Sequence, residues 1–202
     1  MIESSISKKI KETSWSLKLA LLGFGGLILL ILLWDYDLFS RRLALVMTVV
    51  FSGIIYLVVY LYLARKFQII LPAFTALAIV LGVLLDAMGN FLHLYGNVGW
   101  WDDVAHFWGT VMVTIVIFTI LYLLNKERKI KVGKFAMGFF TVSVSMLLAT
   151  FYEITEYWGD LVFKIHRIGE HYDTVSDLNW NFFGALLVVI LGFIFFRKRK
   201  NR

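Results

Sequence analysis

Residues 101–134 read WDDVAHFWGTVMVTIVIFTILYLLNKERKIKVGK. Two acids open the stretch, an apolar run over about 104–124 follows, and Lys126, Arg128, Lys129, Lys131 and Lys134 close it. A run of roughly 17–25 apolar residues is long enough, as a helix, to cross the hydrocarbon core of a bilayer. The clustered Lys and Arg at one end mark the side that stays in the cytoplasm. This segment therefore predicts a transmembrane helix with its acidic end outside.

Five more runs of similar length flank it, over about 15–34, 43–64, 67–86, 135–157 and 178–196. The third is expected to continue toward Tyr95, and Asn179 and Asn181 make the sixth the least apolar. The chain has 202 residues, of which 60% are hydrophobic and one is proline. A soluble core of this size has no room for so much apolar surface. The expected fold class is thus all-α integral membrane, one transmembrane domain over 1–202, multi-pass in the cell membrane. The N-terminal run follows Lys8, Lys9 and Lys11 but is long for a signal peptide. Asp35-Tyr36-Asp37 follows it rather than a small-residue cleavage site, so an uncleaved first helix is expected.

With both termini cytoplasmic, 16 of the 20 Lys and Arg residues fall inside; only Arg41, Arg42, Lys164 and Arg167 fall outside. Basic flanks of this kind account for the net charge of +6, and no nucleic-acid partner is expected. The acids run the other way: only Glu3, Glu12 and Glu127 of the 14 fall inside. Acids contribute little to orientation, so this excess needs a separate reason.

The outer acids have helical spacing. Asp86, Asn90 and His93 are i, i+4, i+7 at the end of the third span; Asp102 and His106 are i, i+4 at the start of the fourth, beside Asp103. Glu153, Glu156 and Asp160 are i, i+3, i+7 closing the fifth, and Asp177 and Asn181 are i, i+4 leading into the sixth, one turn after Asp173. Each group shares one helix face, and all are expected to meet in a single outward pocket. Singly, several have simpler readings. Asp102 and Asp103 suit a helix N-terminus, Asp173 suits a turn, and lone histidines are often only hydrogen-bonded. Glu153 and Glu156 are different, because an ionisable side chain within a span costs about 2.5–3.5 kcal/mol and is by default paired and functional.

Converging carboxylates cannot all stay ionised without a cation, so either some are protonated or a metal ion neutralises them. With two histidines nearby and no cysteine in the chain, the donor set suits a divalent ion: Mg, Mn, Zn or Fe. The expected ligands are His106, Glu153, Glu156, Asp173 and Asp177, with His106, Glu156 and Asp103 as catalytic groups. Asp86, Asn90, His93, Asp102, Asp160 and Asn181 complete the polar cluster. His166, Arg167 and His171 are expected in a solvated loop whose Leu161, Phe163, Ile165 and Ile168 suggest an interfacial segment. Gly169-x3-Asp173-x3-Asp177 matches the end of the CDP-alcohol phosphotransferase signature. Residues 155–160, TEYWGD, lack the part that should precede it.

The motif-bearing part, 80–184, does resemble a family. WDDVAHFWG, the ExxE of YEITEYWGD, and DTVSDLNWNFFGA look like the YjdF-like uncharacterised membrane proteins and, more distantly, the VanZ-like superfamily. VanZ-like chains open one helix with Asp-Lys-x2-His-Phe, close the next with Glu, and start another with Asp-x3-Asn-x2-Gly. Here Asp103-Val104-Ala105-His106-Phe107 matches the first with Val for Lys, Glu153 or Glu156 the second, and Asp177 to Gly184 the third. The resemblance implies a compact helical membrane domain.

The leading expectation for function is a metal-assisted hydrolase or transferase acting on a membrane lipid or lipid-linked head group. A cation- or proton-coupled transporter and a non-catalytic lipid-binding accessory protein are the alternatives. Against transport, the inner halves of the third to fifth spans offer only Thr75, Thr114, Thr119, Thr141, Ser143 and Ser145, with no ionisable residue to continue a path.

Overall fold

A computed structural model describes residues 2–33, 39–163 and 172–199. Asp35, Asp37, Lys164, His166, Arg167, Glu170 and His171, and with them most of the expected interfacial segment, lie outside the described residues. The elements are helices α1 (Ile2–Leu33), α2 (Phe39–Tyr62), α3 (Ala73–Phe91), α4 (Leu94–Asn97), α5 (Trp101–Lys126), α6 (Lys134–Phe163) and α7 (Asp173–Arg199), with a π-turn over Leu63–Phe67. Among the described residues six helices are long and apolar enough to cross a membrane. The reason lies in the solvent: hydrocarbon offers backbone groups no partner, so each span must satisfy its own.

Several boundaries differ from the sequence expectation: α1 begins at Ile2 rather than near 15, and α6 runs on to Phe163 rather than ending near 157. The third span starts at Ala73 rather than near 67, because Pro72 (φ −63°, ψ 152°) holds extended backbone and Gln68 (φ 57°) is left-handed. The same span stops at Phe91 instead of running on to Tyr95; His93 adopts φ 54°, which ends the regular helix. The sixth begins at Asp173, a turn earlier than expected. Asn181 does not interrupt it, since its amide is buried and hydrogen-bonded across helices.

Two apolar clusters meet at α5. One joins α1, α2 and α3 through Phe24, Leu27, Ile31, Val49, Tyr56, Tyr60 and Ala76; the other joins α5, α6 and α7 through Val111, Phe118, Met137, Val188 and Val189. Between them α5 packs on α3 on one side and on α6 and α7 on the other. Hydrocarbon does not squeeze helices together as water does, so close approach relies on small residues and van der Waals contact. At Gly184 of α7 a Cβ would sit 2.6 Å from the carbonyl oxygen of Phe107, and at Gly192 the same distance from the Phe118 ring. These two positions let α7 lie directly against α5.

Candidate metal centre

His106 lies in the second turn of α5, one residue before the carbonyl that touches Gly184. The α5–α7 crossing therefore carries its ring to the first turns of α7. Its Nε2 lies 3.4 Å from Asp102 Oδ1 on its own helix and 3.7 Å from Asp177 Oδ2 on α7. Its Nδ1 lies 3.5 Å from Glu153 Oε1 on α6 and 3.4 Å from Asn181 Nδ2 on α7. The Tyr152 ring stands edge-on to the imidazole at 6.0 Å. Three helices thus place acids around one histidine: the start of α5, the last third of α6 and the start of α7.

Burial is deep. Glu153, Glu156, Asp177 and Asn181 are all under one-tenth exposed, whereas the Asp102 side chain is 33% exposed. Two buried carboxylate oxygens, Glu153 Oε1 and Asp177 Oδ1, have no hydrogen-bond donor. An oxygen in that condition forfeits its hydration without replacement, which costs more for a charged group than the 1–3 kcal/mol typical of a neutral one. Donor atoms of His106, Glu153 and Glu156 lie within 4.8 Å of one another, as do those of Asp102, His106 and Asp177.

The other sequence-derived residues take separate places. Asp103 accepts a hydrogen bond from Ser176 Oγ at 2.9 Å and so ties α5 to α7. Asp173 opens α7 one turn before Asp177, and Asp160 is half-buried one turn beyond Glu156; neither belongs to the two close donor groups. Asp86 and Asn90 do not join them either. Asp86 Oδ1 accepts from Asn90 Nδ2 and from the Tyr95 hydroxyl, both at 3.1 Å, in a network between α3 and α4. His93 is exposed, and because α3 ends before it, it does not continue the Asp86–Asn90 face. The expected single pocket is thus a centre around His106 plus an Asp86 network.

A thread of hydroxyls leads inward from the centre. Thr110 donates to Asn181 Oδ1 at 2.5 Å, fixing the amide that faces His106. Thr114 reaches the Thr110 carbonyl at 2.6 Å and Ser145 Oγ on α6 at 2.9 Å; Ser145 bonds Thr141 O, and Thr141 bonds Met137 O. All four hydroxyl residues are buried.

A family model described as "Predicted membrane protein (DUF2238)" matches residues 17–198. The chain belongs to this family. A Thermotoga maritima relative described as an uncharacterized protein is 27% identical over 134 residues, 65% of this chain and 67% of that one. No solved structure matches. The DUF2238 match reaches into all six apolar helices and includes the whole His106 centre.

Sequence reading passed over Thr110, Ser176 and Tyr152. Thr110 had a signal, lying one helical turn after His106, and Ser176 adjoins Asp177. Tyr152 had none, since its role depends on how α6 turns toward α5.

Proposed function

We propose that this DUF2238 protein holds a divalent cation between His106, Glu153 and Glu156 and acts as a metal-assisted hydrolase or transferase on a lipid or lipid-linked head group. The observation that carries the reading is the spacing around His106. One donor atom each of His106, Glu153 and Glu156 lies within 4.8 Å of the others, and His106 Nδ1 stands 3.5 Å from Glu153 Oε1, too far for a charge-assisted hydrogen bond of about 2.7–2.9 Å. Donors bound to one tetrahedral ion at about 2.1 Å stand roughly 3.4 Å apart, the same separation. A divalent ion also balances Glu153 and Glu156 with a neutral imidazole, and it gives Glu153 Oε1 the partner it lacks.

The ion would supply Lewis acidity and an activated water. His106 and Glu156, if ligands, leave proton transfer to Asp102 and Asp103 on the partly exposed first turn of α5. The Lys and Arg distribution puts this end outside the cytoplasm, at head-group depth. The resemblance of 103–107 and 177–184 to VanZ-like motifs supports reading these segments as one site.

The test uses full-length protein purified without chelator, analysed for bound metal and incubated with phospholipid vesicles. Metal-dependent release of head group, lost with Glu156→Gln, is expected. Metal-free wild-type protein refutes the reading. A second reading, cation- or proton-coupled transport, is favoured by the hydroxyl thread from Asn181 to Met137. In proteoliposomes, cation-driven flux that falls with Thr114→Val, without head-group release, would put transport ahead.

A further inference from the structure

His106 shows different acids to its two nitrogens. Nε2 faces Asp102 and Asp177, and Nδ1 faces Glu153. The two close donor groups share only this ring. Each group contains its own buried carboxylate oxygen lacking a hydrogen-bond donor, Asp177 Oδ1 in one and Glu153 Oε1 in the other. They differ in access: the first includes Asp102, 33% exposed, and all three members of the second are buried.

A neutral imidazole has one lone pair and one N–H. It ligates an ion at one nitrogen, and the remaining N–H usually goes to a carboxylate or carbonyl that orients the ring. Both choices are provided for here. With an ion on Nδ1, the Nε2 proton faces Asp102 and Asp177; with an ion on Nε2, the Nδ1 proton faces Glu153. The two positions are therefore alternatives, filled one at a time. Asn181, held by Thr110, turns its amide N–H toward Nδ1, which favours the tautomer with its proton on Nε2.

We propose that Asp102, His106 and Asp177 form a second, outer divalent-cation position through which an ion is loaded onto His106, Glu153 and Glu156. This rests on the reading that the inner group holds a divalent ion. An ion arriving from water meets Asp102 first and exchanges hydration for carboxylate oxygens where water still reaches. It then passes inward as His106 exchanges one nitrogen for the other: Nδ1 gives its proton to Glu153, Nε2 takes one from water at Asp102, and the Glu153 proton leaves to solvent as that carboxylate takes up the ion.

Full-length protein in detergent, stripped by chelator and mixed with Co²⁺ alone in a stopped flow, tests this through the visible d–d absorption. Wild type should bind one ion per chain in two phases, a concentration-dependent arrival and a slower concentration-independent transfer. Asp102→Asn should slow arrival at least tenfold yet reach the same final spectrum, and Asp102→Glu should restore the rate. Glu156→Gln should keep arrival, lose the second phase and release its ion at least tenfold faster. Two ions bound at once, single-phase loading, or an unchanged rate in Asp102→Asn would overturn the outer position alone. A wild type that takes up no ion overturns the inner site with it.

Discussion

Replacing Gly184 with alanine tests the crossing that brings Asp177 and Asn181 to His106. The added Cβ would lie 2.6 Å from the Phe107 carbonyl oxygen, whereas the tightest ordinary Cβ contacts lie at 3.0–3.4 Å. The two helices must separate by about 0.4–0.8 Å, the difference between those values, because the obstacle is backbone and cannot swing aside. Overpacking of this kind costs about 1–3 kcal/mol. It is partly masked by the gain of about 0.8–1.0 kcal/mol for alanine over glycine in a helix. Gly25→Ala is the control, since a Cβ there meets nothing within 4 Å and receives the same gain. Unfolding in detergent should therefore place Gly184→Ala about 1–3 kcal/mol below Gly25→Ala. Function should suffer as well. Phe107 adjoins His106, and Asp177 and Asn181 ride on the same helix as Gly184, so the 3.7 Å and 3.4 Å separations open together and loading through the outer position slows. If Gly184→Ala matches Gly25→Ala in stability, α5 and α7 do not cross as closely as argued, and the placement of His106 beside Asp177 goes with it.

Glu156→Gln should abolish tight metal binding while the protein still purifies as a folded helical species; unchanged metal content by elemental analysis would remove Glu156 from the ligand set. Thr114→Val and Ser145→Ala break one interhelical bond, so a double-mutant cycle on unfolding should show a coupling of about 0.6 kcal/mol. Strict additivity would mean that the two hydroxyls do not bond. Reporter fusions after Lys129 and at the C-terminus should read cytoplasmic and one near Gly99 extracytoplasmic; a cytoplasmic reading near Gly99 would put the acids in the other compartment.

Fold class and span number were legible because they depend on local quantities: the length of each apolar run and its charged flanks. The stretch 101–134 carries both, and the six runs match the six long helices to within about a turn at most ends. The acids of α5, α6 and α7 were legible as candidates for a related reason, since helical periodicity places side chains on a face without knowledge of any neighbour. What the chain could not disclose was which faces turn toward each other. Asp86 carries the same signal as Glu153, yet it lies on a helix that meets α5 from the other side and bonds Tyr95 instead. The extension of α3 to His93 failed because one left-handed residue redirects the chain, and nothing in the residue type demanded it. Thr114 and Ser145 looked like isolated hydroxyls in apolar helices and became partners only when α5 and α6 packed. Composition and period set the helices and the depth of their polar residues. The close approach at Gly184, a contact between positions 77 residues apart, decided which of those residues share His106.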